Sequence, residues 1–336
     1  MPIKNIFFLF LFFLLLVPSA EGNQKILTVN YPPDKTVMEL GVLGISLSVT
    51  PGSSDLIKVK VNGSEQASAA PGKKVECFSV KLSLGVNKIE VSAIKDKNQV
   101  ETIAFDIFRR SDLEREYRNP PAGFQKKNFH MTDTSLCAEC HAMKPSESDK
   151  KPVNPATFAS LKDGKTSPST CYPCHKKMTA YPFVHGPASV WSCLSCHNPD
   201  AKPVYFIKKP DTDTCFACHI EQKQDWLAKK YIHGPVNTGN CAICHSPHAS
   251  ENPFNLVKPA WELCITCHVE NGTGRHIIAG FVYEGGHPTR GKPDPVREGK
   301  ELSCASCHNP HASNYPRLWA LEAQSAFALC TKCHQK

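Results

Sequence analysis

The chain has 336 residues, enough for two or three domains. Its formal charge of +8 would suit a nucleic-acid or anionic partner, but no nucleic-acid motif accompanies it, so that class is set aside. Seventeen cysteines in an exported chain would ordinarily mean disulfides, and their spacing excludes that framework.

Export is read from the N-terminus. Lys4 precedes an apolar run from Ile6 to Val17, followed by the small residues Ser19, Ala20 and Gly22. A basic flank, a short apolar core and a small-residue exit describe a secretory signal peptide over residues 1–22, with cleavage after Ala20 or Gly22. The run is too short to span a bilayer, and no cysteine follows it to carry a lipid anchor. No later stretch is long and apolar enough to cross a membrane, so the mature chain is expected to be secreted without a membrane span.

Residues 24–110 alternate with period two. Val59 and Val61 precede an Asn62-Gly63 turn signal; Phe78, Val80 and Leu82 alternate, as do Ile89, Val91 and Ala93, then Ile103, Phe105 and Ile107. Turn clusters at Leu84–Asn87 and Lys95–Asn98 separate them. Several short strands in one region predict an all-β immunoglobulin-like sandwich, with a structural or docking role. Cys77 is expected there as a small buried residue in a strand. Residues 111–129, with Arg and Lys clusters and Pro120-Pro121, read as a linker.

Residues 130–336 carry the chemistry. C-x-x-C-H occurs eight times, with cysteines at Cys137 and Cys140, Cys171 and Cys174, Cys193 and Cys196, Cys215 and Cys218, Cys241 and Cys244, Cys264 and Cys267, Cys304 and Cys307, and Cys330 and Cys333. The histidines that follow are His141, His175, His197, His219, His245, His268, His308 and His334. Positions i, i+3 and i+4 share one face of a helical turn. Two thiols there can form thioethers to the vinyl groups of one porphyrin, and the next imidazole reaches the iron from the same side. Zinc pairs need no histidine after each C-x-x-C, yet histidine follows all eight here, so eight covalently attached haems c are expected. Their propionates would contribute roughly −16 and their ferric cores about +8, so the lysines and arginines chiefly offset propionates.

A longer repeat overlies the motifs. His185-Gly-Pro and His233-Gly-Pro each precede one motif and then a second, and His287-Pro, Cys304 and Cys330 form a looser version. This resembles the paired-motif multihaem cytochromes c, over roughly residues 130–336. That group includes periplasmic electron donors, components of outer-membrane conduits and cytochromes that polymerise into filaments. The resemblance implies short helices on the motifs joined by Pro-rich loops, with porphyrins in place of an ordinary core. The whole is then a multidomain chain: a β-sandwich, a linker and a loop-rich, mainly short-helical octahaem region.

The far side of each iron decides between wire and enzyme. Seven histidines lie outside the motifs: His130, His185, His233, His248, His276, His287 and His311. His248 and His311 extend their motifs to C-x-x-C-H-x-P-H, and in the resembled group such a histidine commonly serves a neighbouring haem. The matching positions are Lys144 after the first motif and Asp200 after the third, a departure that leaves the first two motif pairs short. His276 or His287 is the expected reserve for them. Eight haems need eight far-side ligands, so one is missing. Met131, Met143 or Met178, Lys144, a histidine of another subunit, or an open position would fill the account.

The expected function is electron relay between unidentified donor and acceptor proteins, in the periplasm or at the cell exterior, at the low potentials of anaerobic respiration. The alternatives are a reductase of a small nitrogen or sulfur compound at one open haem, and a subunit of a conducting filament or other homo-oligomer. Trp191, Trp226, Trp261 and Trp319 recur beside motifs, where packing on porphyrin faces is expected.

Overall fold

The computed structural model describes residues 25–151, 169–273, 276–277 and 287–334. The expected signal peptide, residues 1–22, lies outside them. The described chain divides into a β-rich N-terminal region and a loop-rich, helix-poor region that holds the C-x-x-C-H motifs.

In the first region the alternating segments become strands: β1 (Leu27–Tyr31), β2 (Thr36–Met38), β3 (Val42–Val49), β4 (Leu56–Val61), β5 (Ser64–Ala69), β6 (Val75–Lys81), β7 (Gly85–Lys95) and β8 (Asn98–Arg109). Period-two side chains send one set inward, and β7 reads that way with Ile89, Val91 and Ala93 all fully buried. Asn62 and Gly63 both take positive φ, the conformation of a two-residue hairpin turn, and join β4 to β5. Asp96 and Lys97 do the same between β7 and β8, so the second turn is shorter than the sequence cluster suggested.

The strands form two sheets, ordered β1-β3-β6 and β5-β4-β7-β8-β2-β9, where β9 is Gln125–Lys126. Leu27, Leu43, Ile45 and Leu47 from the first sheet share one buried cluster with Ile57, Val59, Ile89, Val91 and Ile107 from the second. Residues 111–129, expected as a linker, are partly structured: β9 extends the second sheet by pairing parallel with β2. Gly85 has φ +86°, and a Cβ there would lie 3.0 Å from the Tyr117 ring, so this segment packs back on the β-rich region.

Cys77 requires a correction. It stands on β6 as expected, but it is exposed, on the face it shares with Ser79 and Lys81 and opposite the buried Phe78 and Val80. Strand parity explains this, because Phe78 and Val80 take the buried positions.

Beyond residue 130 regular structure is sparse. The longest described helices, Ile220–Leu227 and Ala260–Cys267, have 8 residues each. Buried apolar side chains there are scattered: Phe216, Ala249, Leu263, Leu302, Ala312, Ala323 and Leu329. Two-stranded ribbons stitch the loops: β10 (Phe183–Val184) pairs with β12 (Ala249–Ser250), and β11 (Tyr231–Ile232) with β13 (Ala312–Ser313). Among the described residues no helix is long and apolar enough to cross a membrane.

Stability of the β-rich region rests on the two-sheet cluster. Ile57→Ala, at a residue with no exposure, should cost roughly 2–5 kcal/mol. Hydrogen exchange on the full-length chain should show faster exchange across β3, β4, β6 and β7 while the motif region is unaffected.

Candidate haem sites

Each motif is locally one turn. In all eight, the histidine N–H donates to the carbonyl of the first cysteine, at 2.9–3.1 Å. That i to i−4 bond closes an α-type turn and puts both thiols and the imidazole on one side. The turns lie on short α-helices or 3-10 turns, for example Tyr172–His175, Cys193–Ser195 and Cys304–Cys307.

Tertiary structure then sets a second imidazole opposite seven of these histidines. His130 stands opposite His175 with ring centres 6.1 Å apart, His248 opposite His197 at 6.0 Å, and His185 opposite His219 at 6.2 Å. His311 faces His245 at 6.0 Å and His233 faces His268 at 6.1 Å. His276 faces His308, and His287 faces His334, each at 6.1 Å. An imidazole nitrogen binds a metal at about 2 Å and lies about 1 Å from its ring centre, so two rings across one iron sit about 6 Å apart. The spacing is therefore that of a haem held from both sides. All seven non-motif histidines are used, and among the described residues His141 is the motif histidine with no second imidazole opposite it.

Two expectations are corrected by this pairing. His276 and His287 do not reach the first two motif pairs; they stand beside the seventh and eighth motifs. Met178 is not a spare ligand either, because its sulfur lies 3.2 Å from Nδ1 of His175.

Backbone carbonyls orient the rings. Nδ1 lies 2.7 Å from the Tyr205 carbonyl in His197, 2.8 Å from Phe254 in His245 and 2.7 Å from Arg317 in His308. In His185 it lies 3.0 Å from the Pro247 carbonyl. A carbonyl only accepts, so Nδ1 carries the proton and Nε2 keeps a free lone pair. Burial, reinforced by neighbouring imidazoles, pushes His248 and His311 down to about 4, which keeps them neutral and able to bind a metal. The ribbons extend this: the His185 N–H donates to the His248 carbonyl and the His233 N–H to the His311 carbonyl. Trp226 stacks on His311 at 4.0 Å and 7°, and Trp319 lies on His308 at 4.8 Å. These indoles thus brace imidazoles, whereas Trp191 meets Tyr172 edge-on and Trp261 lies under Arg290.

Cysteines of successive motifs neighbour one another. First cysteines stand side by side in the pairs Cys171 and Cys193, Cys215 and Cys241, and Cys264 and Cys304. At the alternate junctions the neighbouring sulfurs are Cys196 and Cys218, Cys244 and Cys267, and Cys307 and Cys333. Cys137 neighbours Cys174, and both lie within electrostatic reach of Cys77, so the outer face of the β1-β3-β6 sheet adjoins the first two motifs.

Three acidic residues that sequence reasoning did not single out fasten this array. Asp211, 3% exposed, accepts from the Cys241 and Ala242 N–H groups and from Lys209. Asp149 accepts from Ser146 and Thr170 ahead of the second motif, and Asp294 from Ser306 and Arg297 within the seventh. A lone aspartate before a motif carries no periodic signal, so nothing in the sequence marks it. Gly239 completes the Asp211 corner: at φ +73° a Cβ would come within 2.7 Å of Thr212 Oγ1. Asp211, Cys215 and Cys241 bring ligand atoms within 4.8 Å of one another. A metal there competes poorly, since the carboxylate is already bonded and both sulfurs belong to attachment motifs.

Burial works to raise the Asp211 carboxyl, but Lys209 and the two N–H groups outweigh it and hold it below the usual range. Its stabilisation is therefore complete above about pH 4 and fades as pH falls through the lowered value. Asp211→Ala should cost roughly 1–3 kcal/mol by stranding buried donors. Thermal unfolding followed by Soret circular dichroism should show that loss at pH 7 and a smaller one in acid. A second expectation concerns the cofactor: chain made without haem attachment should keep the exchange protection of β1–β8 and lose it beyond residue 130.

The doubled C-x-x-C-H family signature matches residues 185–224, 233–273 and 294–336. A multiheme cytochrome, MtrA, of Shewanella baltica is 30% identical over 200 residues, covering 51% of this chain and 55% of that protein. The chain thus spans about half the length of that relative. Among solved structures, fibronectin(III)-like modules of Clostridium thermocellum CbhA share 18% identity at a TM-score of 0.22, covering 25% of this chain and 96% of the module. The mouse leukocyte-associated immunoglobulin-like receptor 1 ectodomain gives 11% identity and a TM-score of 0.20, over 24% of this chain and 90% of that one. Both scores are too low to assign a fold. The repeated attachment turns, the doubled-motif match and the cytochrome relative agree that this chain is a multihaem c-type cytochrome with covalently attached haem c.

Proposed function

We propose that the chain holds eight haems c in sequence order and relays electrons along them between redox partner proteins outside the cytoplasm. The observation that carries this reading is the set of seven imidazole pairs at 6.0–6.2 Å, each joining one motif histidine to one other. When bound, haem iron supplies a reversible one-electron couple. The protein residues would do the rest: the motif cysteines would tether each ring, paired imidazoles would hold the iron at seven of the eight, and carbonyls on Nδ1 would raise imidazole basicity. Closed coordination at seven of the eight leaves little room for substrate there, which favours an electron carrier over an enzyme. Neighbouring cysteines at every junction from the first motif to the eighth support a continuous relay, since tunnelling falls steeply with distance.

The β-rich region, read as an immunoglobulin-like sandwich over residues 24–110, is a docking module in this account. Its outer sheet adjoins the first two motifs, which suits a partner meeting that end. The signal-peptide pattern of residues 1–22 and the chemistry of haem attachment support a periplasmic or cell-exterior location. A filament in which one copy lends a histidine to the next is disfavoured, because a donor copy would have to break one of its own seven pairs.

Intact-mass measurement of the purified holoprotein should find eight haems, and electron paramagnetic resonance should be dominated by low-spin His/His signals. Redox titration should span negative potentials; a titration centred well above the hydrogen-electrode zero, or fewer than eight haems, would sink this reading. His248→Met should move one-eighth of the absorbance change to more positive potential and leave the rest in place.

A further inference from the structure

We infer that the haem on Cys137, Cys140 and His141 is a ligand-binding site: its far axial position takes a small exogenous iron ligand of the cyanide, nitrite or nitric oxide class. This rests on the eight-haem reading above.

The argument begins with allocation. Every histidine of the chain lies among the described residues, and each of the seven outside the motifs already faces a motif histidine at 6.0–6.2 Å. His141 is the motif histidine left over. Its nearest sequence neighbour of that type, His130, is turned to the second motif and held there by Phe129 at 5.4 Å and Tyr205 at 4.7 Å. Phe129 in turn packs edge-on against Tyr31 of the β-rich region, at 4.9 Å. His130 therefore cannot swing to the first iron without dismantling that aromatic cluster.

Other side chains are also committed or turned outward. Met178 sits against Nδ1 of His175. Met131 is 63% exposed, Lys144 is exposed, and Met143 stands two residues past His141, a span of at most about 7 Å that is too short to carry it round the porphyrin edge to the far face. The motif also lies at the surface: Ala138, Glu139, Cys140, His141 and Ala142 are all exposed. In the first-to-last order of neighbouring cysteines this motif stands at an end, with Cys174 of the second motif and Cys77 within electrostatic reach. A terminal haem with an exchangeable position can take up a ligand and still pass electrons to the second haem.

The test is cyanide titration of the oxidised holoprotein, followed by low-temperature electron paramagnetic resonance and near-infrared magnetic circular dichroism. One haem in eight should change spin state or ligand class, while seven keep His/His signatures. In the Cys137→Ser, Cys140→Ser chain, which attaches one haem fewer, the cyanide-responsive fraction should vanish. Where that variant does not mature, the wild-type spectra still decide. Eight His/His signatures overturn the assignment. So does a thioether, amine or thiolate ligand that cyanide fails to displace, or a cyanide response that survives loss of both cysteines. The mass count and the seven remaining signatures test the eight-haem reading separately.

Discussion

The distance between facing imidazoles governs this molecule. Two imidazoles that bind one metal from opposite sides place their ring centres about 6 Å apart, which is the spacing of these pairs. A metal and its flat macrocycle would fit between them. Seven such gaps, each bounded by a tethering turn and a second loop, take the place of an aliphatic core beyond residue 130. This explains why so few apolar side chains are buried there, while the β-rich region buries a dense cluster between two sheets.

Holding two rings at that spacing calls for rigid loops without long helices. The chain meets the demand with repeated small devices. Two-residue ribbons tie each His-Gly-Pro segment to the strand that follows a later C-x-x-C-H-x-P-H motif. Equivalent positions recur: Phe254 and Arg317 both adopt positive φ and present carbonyls to His245 and His308. The same loop thus sets the ring orientation and the proton position on Nδ1. Buried carboxylates such as Asp211 satisfy backbone donors that no helix is long enough to pair.

The two regions are physically joined. Tyr31 contacts Phe129, Asn128 donates to the Val204 carbonyl, and the Glu114 carboxylate pairs with Lys258. The β-rich region therefore does more than hang from a tether: it braces the aromatic cluster around His130. In the proposed relay this gives the first motif an end position flanked by a preformed surface.

Much of this was legible in the amino-acid sequence. The attachment chemistry follows from i, i+3, i+4 spacing, which any helical turn converts to one face, and the strands follow from period-two alternation. The count of fifteen histidines against eight motifs already implied one unmatched iron. What the sequence left open was partnership, because imidazoles far apart in the chain meet only through folding: His248 crosses to His197 and His276 to His308. The side that Cys77 faces, the commitment of Met178 to His175 and the identity of His141 as the unpaired histidine were decided by tertiary structure alone. Local spacing fixes which atoms share a face of one turn; opposition across a cofactor depends on how distant loops close, and no short-range pattern encodes that.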